Sequence, residues 1–187
     1  MKPCGIYLRS GVSAVGILLF LVVTSVAGPV EDREEASKIG VQLDVSILRH
    51  SFPLQSVKTL TPWSQGTVIS YRGVRLLDVL EAANLSTRMS VEVHAANGFV
   101  VGIAMNDIRK YQPILATDLS CCAGTTEPPC AADAYRPLGI SDYGPIFLIW
   151  PSNSASSIGM SDYSKWVWFV SLLKPAEKRT YTTGQGN

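Results

Sequence analysis

The segment MSVEVHAANGFVVGIAM, residues 89–105, restricts the fold of this chain more than any other. Apolar and polar residues alternate before Asn97, which is typical of a half-buried strand. Asn97 and Gly98 form a dipeptide that strongly favours a tight hairpin turn. The apolar run after Gly98 then returns as the partner strand, so the segment predicts an antiparallel β-hairpin.

Short elements of the same kind follow one another along the chain. We predict strands in VQLDVSILRH (41–50), TVISYRG (67–73), PILATDL (113–119) and PIFLIWP (145–151). We predict an amphipathic helix in VRLLDVLEAAN (74–84), a short helical turn in NDIRKYQ (106–112) and a last strand or short helix in KWVWFVSLL (165–173). Short strands with few helices predict an α+β class, as one compact domain with a mixed, largely antiparallel sheet.

The first residues have the pattern of a secretory signal peptide. Lys2 and Arg9 precede an apolar run from about Val12 to Val26, and small residues surround Ala27. The alternative is an uncleaved anchor, but the run is shorter than the roughly 20 residues that span a bilayer. We therefore predict a signal peptide at 1–27, a charged arm at 28–40, a domain at 41–174 and a polar tail at 175–187. This organisation implies a periplasmic or secreted protein, with no membrane insertion after cleavage.

The charge of the chain disfavours one class of partner. The full sequence has 16 basic and 15 acidic residues, and removal of residues 1–27 leaves 14 and 15. A chain with this balance has no basic field for nucleic acid or for anionic lipid.

The sequence contains no motif of common catalytic chemistry. It has no phosphate-binding loop, no dinucleotide-binding glycine pattern and no nucleophile elbow. His50 and His94 lie in or beside strand-like segments, and we interpret both as structural or surface residues. Cys121, Cys122 and Cys130 lack the paired spacing of a zinc site. We therefore predict no catalytic residue and no metal site.

The three cysteines of the mature chain lie in a loop rich in Gly and Pro, residues 120–142. In an oxidising compartment two of them can pair. A bond between the neighbours Cys121 and Cys122 would be strained. Either of them can bond to Cys130, and we predict the Cys122–Cys130 pair, which leaves one thiol over.

Aromatic residues lie at the edges of loops and strands. Trp63 follows a Thr-Pro pair, Phe99 follows the hairpin turn, and Tyr143 precedes Gly144 and Pro145. Trp166 and Trp168 are two residues apart and would share one face of a strand. Packing in the core explains each of them equally well. Clustered at one opening, however, they would suit a flat heteroaromatic ligand.

The order of these motifs resembles sulfite-oxidase-type molybdopterin-binding domains. The segment TPWSQGTVISYRGVRLLDVLEAANL resembles the family's Trp, the strand that follows it and the Leu-Leu-Asp-Val-Leu helix. The segment VEVHAANGFVVGIAMNDI resembles the family's hairpin. The family's closing segments resemble DYGPIFLIWP and SDYSKWVWFVSLL. The resemblance covers roughly residues 41–174. Catalytic members bind molybdenum through a cysteine in the earlier half of the domain, whereas this chain has no cysteine between Gly5 and Ser120.

A smaller subgroup of short exported proteins is more similar to this chain, because its members also lack the metal cysteine. Some of them bind reduced pterins and regulate a membrane partner, such as a cyclic-di-GMP-metabolising enzyme. The resemblance implies a pterin site without a metal, in which aromatic faces stack on the ligand and polar groups bind its edge. The implied stacking residues are Trp63, Phe99, Tyr143 and Trp166, and the implied polar residues are Asn97, Asp107 and Asp142.

Other readings stay open at this point. Asp107 and Asp142 are equally well explained by helix capping or turn chemistry. The protein as a whole can alternatively be a molybdopterin-dependent oxidoreductase of the sulfite oxidase type, or a scaffold that uses the fold only to bind another protein.

Overall fold

The computed structural model describes residues 40–121, 134–152 and 163–176. The predicted signal peptide, nearly all of the charged arm, Cys122, Cys130 and most of the polar tail lie outside these residues. The described strands are β1 (Val41–Gln42), β2 (Leu54–Thr59), β3 (Ile69–Arg75), β4 (Ser90–Ala95), β5 (Val100–Ala104), β6 (Ile114–Ser120), β7 (Tyr135–Pro137), β8 (Phe147–Ile149) and β9 (Val170–Pro175). The described α-helices are α1 (Val45–Ser51), α2 (Leu76–Ala82) and α3 (Met105–Tyr111).

The strands form two sheets within one compact domain. The first sheet has the order β1-β9-β4-β5, and the second has the order β2-β3-β6-β7 with β8 paired to β6. Every strand pair among the described residues is antiparallel. The α+β class with a largely antiparallel arrangement is therefore confirmed, although the strands are divided between two sheets.

The predicted hairpin is confirmed as β4 and β5. Gly98 has a φ of +87°, a conformation that glycine adopts without steric cost. The N–H of Ala95 donates to the carbonyl of Phe99 at 2.8 Å, which closes the turn. The Phe99 N–H also donates to the Asn97 side-chain oxygen at 3.1 Å. These bonds fix Asn97 and Phe99 at the tip of the hairpin.

The strand predicted at residues 41–50 is wrong beyond its first two residues. The chain turns at Asp44, whose carboxylate accepts hydrogen bonds from the N–H groups of Ser46 at 2.7 Å and Ile47 at 3.1 Å. This N-cap starts α1, which buries Leu48. A local capping interaction therefore overrides the alternating pattern.

The helix predicted at residues 74–84 is confirmed as α2, with Leu76, Val79 and Leu80 buried on one side. The helical turn predicted at 106–112 is also present, as α3. Strand β2, in contrast, was not predicted. Most of its residues are exposed, so its sequence lacks the apolar alternation that marks a strand.

The core contains large side chains from the last third of the domain. Phe147, Trp150 and Trp166 are fully buried. The indole N–H of Trp150 donates to the carbonyl of Lys165 at 2.7 Å, which holds the segment before β9 against the end of β8. None of the described helices is long and apolar enough to cross a membrane.

Candidate ligand-binding pocket

A pocket of about 510 Å³ opens beside the hairpin tip. Its lining is largely apolar and consists of Trp63, Asn97, Phe99, Tyr163, Ser164, Trp166 and Trp168. Four of the seven residues implied by the resemblance therefore meet at one site, namely Trp63, Asn97, Phe99 and Trp166. We call this site the aromatic pocket.

Strand pairing explains why distant parts of the sequence meet in the aromatic pocket. β9 pairs with β4, and this register places Ala95 opposite Val170. The N–H of Ala96 then donates to the carbonyl of Phe169 at 2.8 Å. The residues just before β9 consequently lie beside the hairpin tip, which brings Trp166 and Trp168 next to Phe99.

Trp63 enters the pocket from a tight turn that its neighbours hold. The Ser64 hydroxyl accepts from the Thr61 N–H at 3.1 Å and donates to the Thr61 carbonyl at 3.0 Å. Both residues are buried. Because the turn is fixed on each side of Trp63, its indole has a defined position.

Trp63 is the centre of a group of aromatic rings. Its ring centroid lies 4.6 Å from that of Trp168, 5.6 Å from Tyr143, 5.9 Å from Tyr163 and 6.2 Å from Phe147. The planes of these rings tilt against Trp63 by 41–53°. Aromatic pairs of this kind contribute about 0.5–1.5 kcal/mol each beyond the area that they bury, so the wall is pre-formed.

Tyr143 supports the pocket but is not part of its lining. It has a φ of +67°, and its ring meets Trp168 edge-on at 4.5 Å. Its main-chain carbonyl accepts from the Phe169 N–H at 3.3 Å. Tyr143 therefore packs behind Trp63 and Trp168 and helps to hold both indoles in place.

Asp142 lies in the turn before Tyr143 and does not line the aromatic pocket. Its carboxylate accepts two hydrogen bonds from the Arg136 guanidinium, at 2.5 and 2.8 Å, and one from the Gly139 N–H at 3.0 Å. This is the turn chemistry that was the alternative reading of the residue. Asp107 lies in the first turn of α3 and is likewise not among the lining residues.

Asp142 gives a prediction for pH dependence. The hydrogen bonds from Arg136, with that from Gly139, lower the pKa of Asp142 below its ordinary value of 3.8. A lowered folded-state pKa means that the pair stabilises the fold above pH 3.8 and that this contribution is lost as the pH falls through the folded-state pKa. We expect Asp142→Asn to lose about 1 kcal/mol of unfolding free energy at pH 7, and progressively less as the pH falls below 3.8. Urea unfolding of both proteins from pH 7 to below pH 3.8 measures the difference in unfolding free energy. A difference that does not change with pH would contradict the role given to the Arg136–Asp142 pair.

Three lining residues were not predicted as ligand contacts. Trp168 was singled out only for its spacing from Trp166. Tyr163 and Ser164 are the last two residues of the Ser-rich segment SNSASSIGMSDYS, residues 152–164, whose composition predicts only a loop. The structure places Tyr163 and Ser164 in a 3₁₀ turn (Tyr163–Lys165), and no pattern in the sequence identifies the direction of that turn.

The indole N–H of Trp166 is a buried donor. The residue is fully buried, and its indole nitrogen has no hydrogen-bond partner among the described residues. A buried donor without a partner costs about 1–3 kcal/mol. A buried donor of this kind therefore calls for a structural or functional explanation.

The other polar candidates lie elsewhere. His50 contacts the Ser46 carbonyl at 2.7 Å, and His94 contacts Glu92 at 3.1 Å. The part of the chain that the structure describes contains no group of three or more His, Cys, Asp or Glu residues that could hold a metal ion.

Comparison with known proteins adds no further constraint on the pocket. No family model matches the chain, and a search of curated proteins finds no significant match.

Proposed function

We propose that the protein is an exported, non-catalytic binding protein for a reduced pterin, and that it acts as a sensor for a membrane signalling enzyme. The observation that carries the proposal is the aromatic pocket. It has the size of a small-molecule site, since such sites are typically about 300–1,000 Å³. Its wall combines several aromatic rings with a few polar groups, as the recognition of a flat heteroaromatic molecule requires.

The chemistry of a pterin matches the lining residues. A pterin has an aromatic or partly reduced bicycle, which can lie against an indole such as that of Trp63. Its edge carries a 2-amino group, an N3–H and a carbonyl oxygen. The Asn97 side chain offers an amide N–H₂ to the carbonyl oxygen and retains a second lone pair on its own oxygen.

The molybdenum cofactor implied by the wider family does not fit the residues of this pocket. That cofactor carries a phosphate, which calls for several Arg or Lys side chains or a ring of backbone N–H groups. Its metal takes a cysteine thiolate in the catalytic relatives. The described lining residues include no Arg, Lys or Cys. We therefore propose no redox chemistry at this site.

Titration with tetrahydropterin tests the binding proposal. We expect saturable binding of one molecule per chain under anaerobic conditions, measured as a change in tryptophan fluorescence, because Trp63, Trp166 and Trp168 line the pocket. Metal analysis is the control for the alternative enzyme. Stoichiometric molybdenum in protein from a host that makes the cofactor would contradict the proposal and favour the oxidoreductase.

The sensor role has its own test. We expect the membrane partner to co-purify with the tagged protein, and the amount recovered to change when tetrahydropterin is added. A partner recovered equally with and without the ligand, from protein that binds no pterin, would favour a protein-binding scaffold. The signal-peptide pattern and the resemblance to pterin-binding regulators support the sensor role.

A further inference from the structure

We infer that the aromatic pocket also binds organic cations that carry a quaternary ammonium group. The inference goes beyond the proposed pterin function and rests only on the shape and charge of the pocket. Three indoles, one phenol and one phenyl ring meet there around a single space, from Trp63, Trp166, Trp168, Tyr163 and Phe99.

The tilt of the rings favours a rounded group. Trp63 meets Trp168 at 48° and Tyr163 at 48°. Faces inclined in this way cannot all lie parallel to one flat ligand. A flat bicycle therefore stacks on one ring, whereas a trimethylammonium group can contact several rings at once. Aromatic cages for choline and methylated lysine use this arrangement.

The charge of the lining favours a cation over an anion. None of the described lining residues carries a formal charge, so none of them repels an ammonium group. The negative faces of the rings attract it, and tryptophan does so most strongly. A quaternary ammonium group also has no N–H to satisfy, which suits a wall that offers few acceptors.

The burial of the rings strengthens the attraction. Trp166 is fully buried, while Phe99 is 41% and Tyr163 is 56% exposed. Trp166 therefore lies beneath the pocket surface, whereas a ligand can contact the half-buried Trp63 and Trp168 and the exposed Phe99 and Tyr163. A ligand against Trp63 and Trp168 loses water from its methyl groups, and cation–π attraction is larger when the cation is desolvated.

Choline and its neutral isostere 3,3-dimethylbutan-1-ol test the inference. The two probes have nearly the same shape and differ mainly in charge. We expect choline to bind at least about tenfold more tightly in isothermal titration, because several ring faces add cation–π attraction to the shared apolar contact. Equal affinities, or no binding of either probe, would overturn the inference.

Variants of the lining tryptophans test whether the aromatic rings cause the preference for choline. We expect Trp168→Leu to reduce the preference for choline to less than about threefold, because leucine retains apolar contact but not the π face. Trp63→Leu is the second variant if Trp168→Leu does not fold, as judged by circular dichroism. Ile140→Ala is the matched control, since Ile140 is 82% exposed and is not a lining residue. An undiminished preference in a folded Trp variant would contradict the assignment.

Failure of this inference and failure of the pterin proposal are distinguishable. Tetrahydropterin binding is measured separately on the same protein. Displacement of bound choline by tetrahydropterin would place both ligands in the aromatic pocket. Choline binding that tetrahydropterin leaves unchanged, in protein that binds both, would contradict the location inferred here.

Discussion

Gly73→Ala is expected to lower the unfolding free energy by at least about 3 kcal/mol. Gly73 lies in β3 where its pairing with β6 shifts register. A Cβ atom there would overlap the carbonyl oxygen of Leu115 and lie 2.5 Å from the Cα of Ala116. Both obstacles are backbone, so no rotamer change relieves the overlap. Urea unfolding measures the loss.

Gly102→Ala is the matched control for this prediction. Gly102 is also in a strand, β5, but a Cβ atom there meets nothing within 4 Å. Because alanine restricts the unfolded chain more than glycine does, we expect this variant to be unchanged or slightly more stable. If both variants lose the same stability, the close approach of β3 and β6 at Gly73 is not as described.

Trp63→Ala is expected to weaken tetrahydropterin binding by about tenfold to a hundredfold. Loss of an aromatic ring that stacks on a flat base costs about 1–3 kcal/mol, and about 1.4 kcal/mol corresponds to tenfold in affinity. Trp63 also contacts four other rings, so its removal loosens the wall that the ligand meets. Isothermal titration under anaerobic conditions measures the change.

Met89→Ala is the control for Trp63→Ala, because Met89 is 90% exposed and does not line the pocket. We expect its affinity and stability to match those of the unchanged protein. If Trp63→Ala keeps its fold and its full affinity, Trp63 is not a stacking residue and the proposed geometry of the ligand is wrong.

The sequence predicted the elements whose signals are local. The Asn97-Gly98 turn and the amphipathic pattern of α2 each depend on residues that are neighbours in the chain. At residues 41–50 two local signals compete, and the Asp44 cap outweighs the alternation. Strand β2 was not predicted, because it is held in the sheet by its pairing with β3. Its own residues are mostly exposed and show no strand pattern.

The pocket was predictable only in part, for a similar reason. The resemblance to the family, which rests on the order of motifs along the chain, predicted four of the lining residues: Trp63, Asn97, Phe99 and Trp166. The contribution of Trp168 and Tyr163 depends on the pairing of β4 with β9 and on a 3₁₀ turn. The local alternative for Asp142, a turn contact, agrees with the structure, because Arg136 occupies its carboxylate.

Mass spectrometry of the small molecule released on denaturation tests the central claim most directly. The protein is purified anaerobically from its native host, and the extract is compared with that of Trp63→Ala. We expect a reduced pterin at close to one molecule per chain, and much less from the variant. Recovery of no pterin, together with no binding of added tetrahydropterin to the folded protein, would contradict the claim that the aromatic pocket is a pterin site.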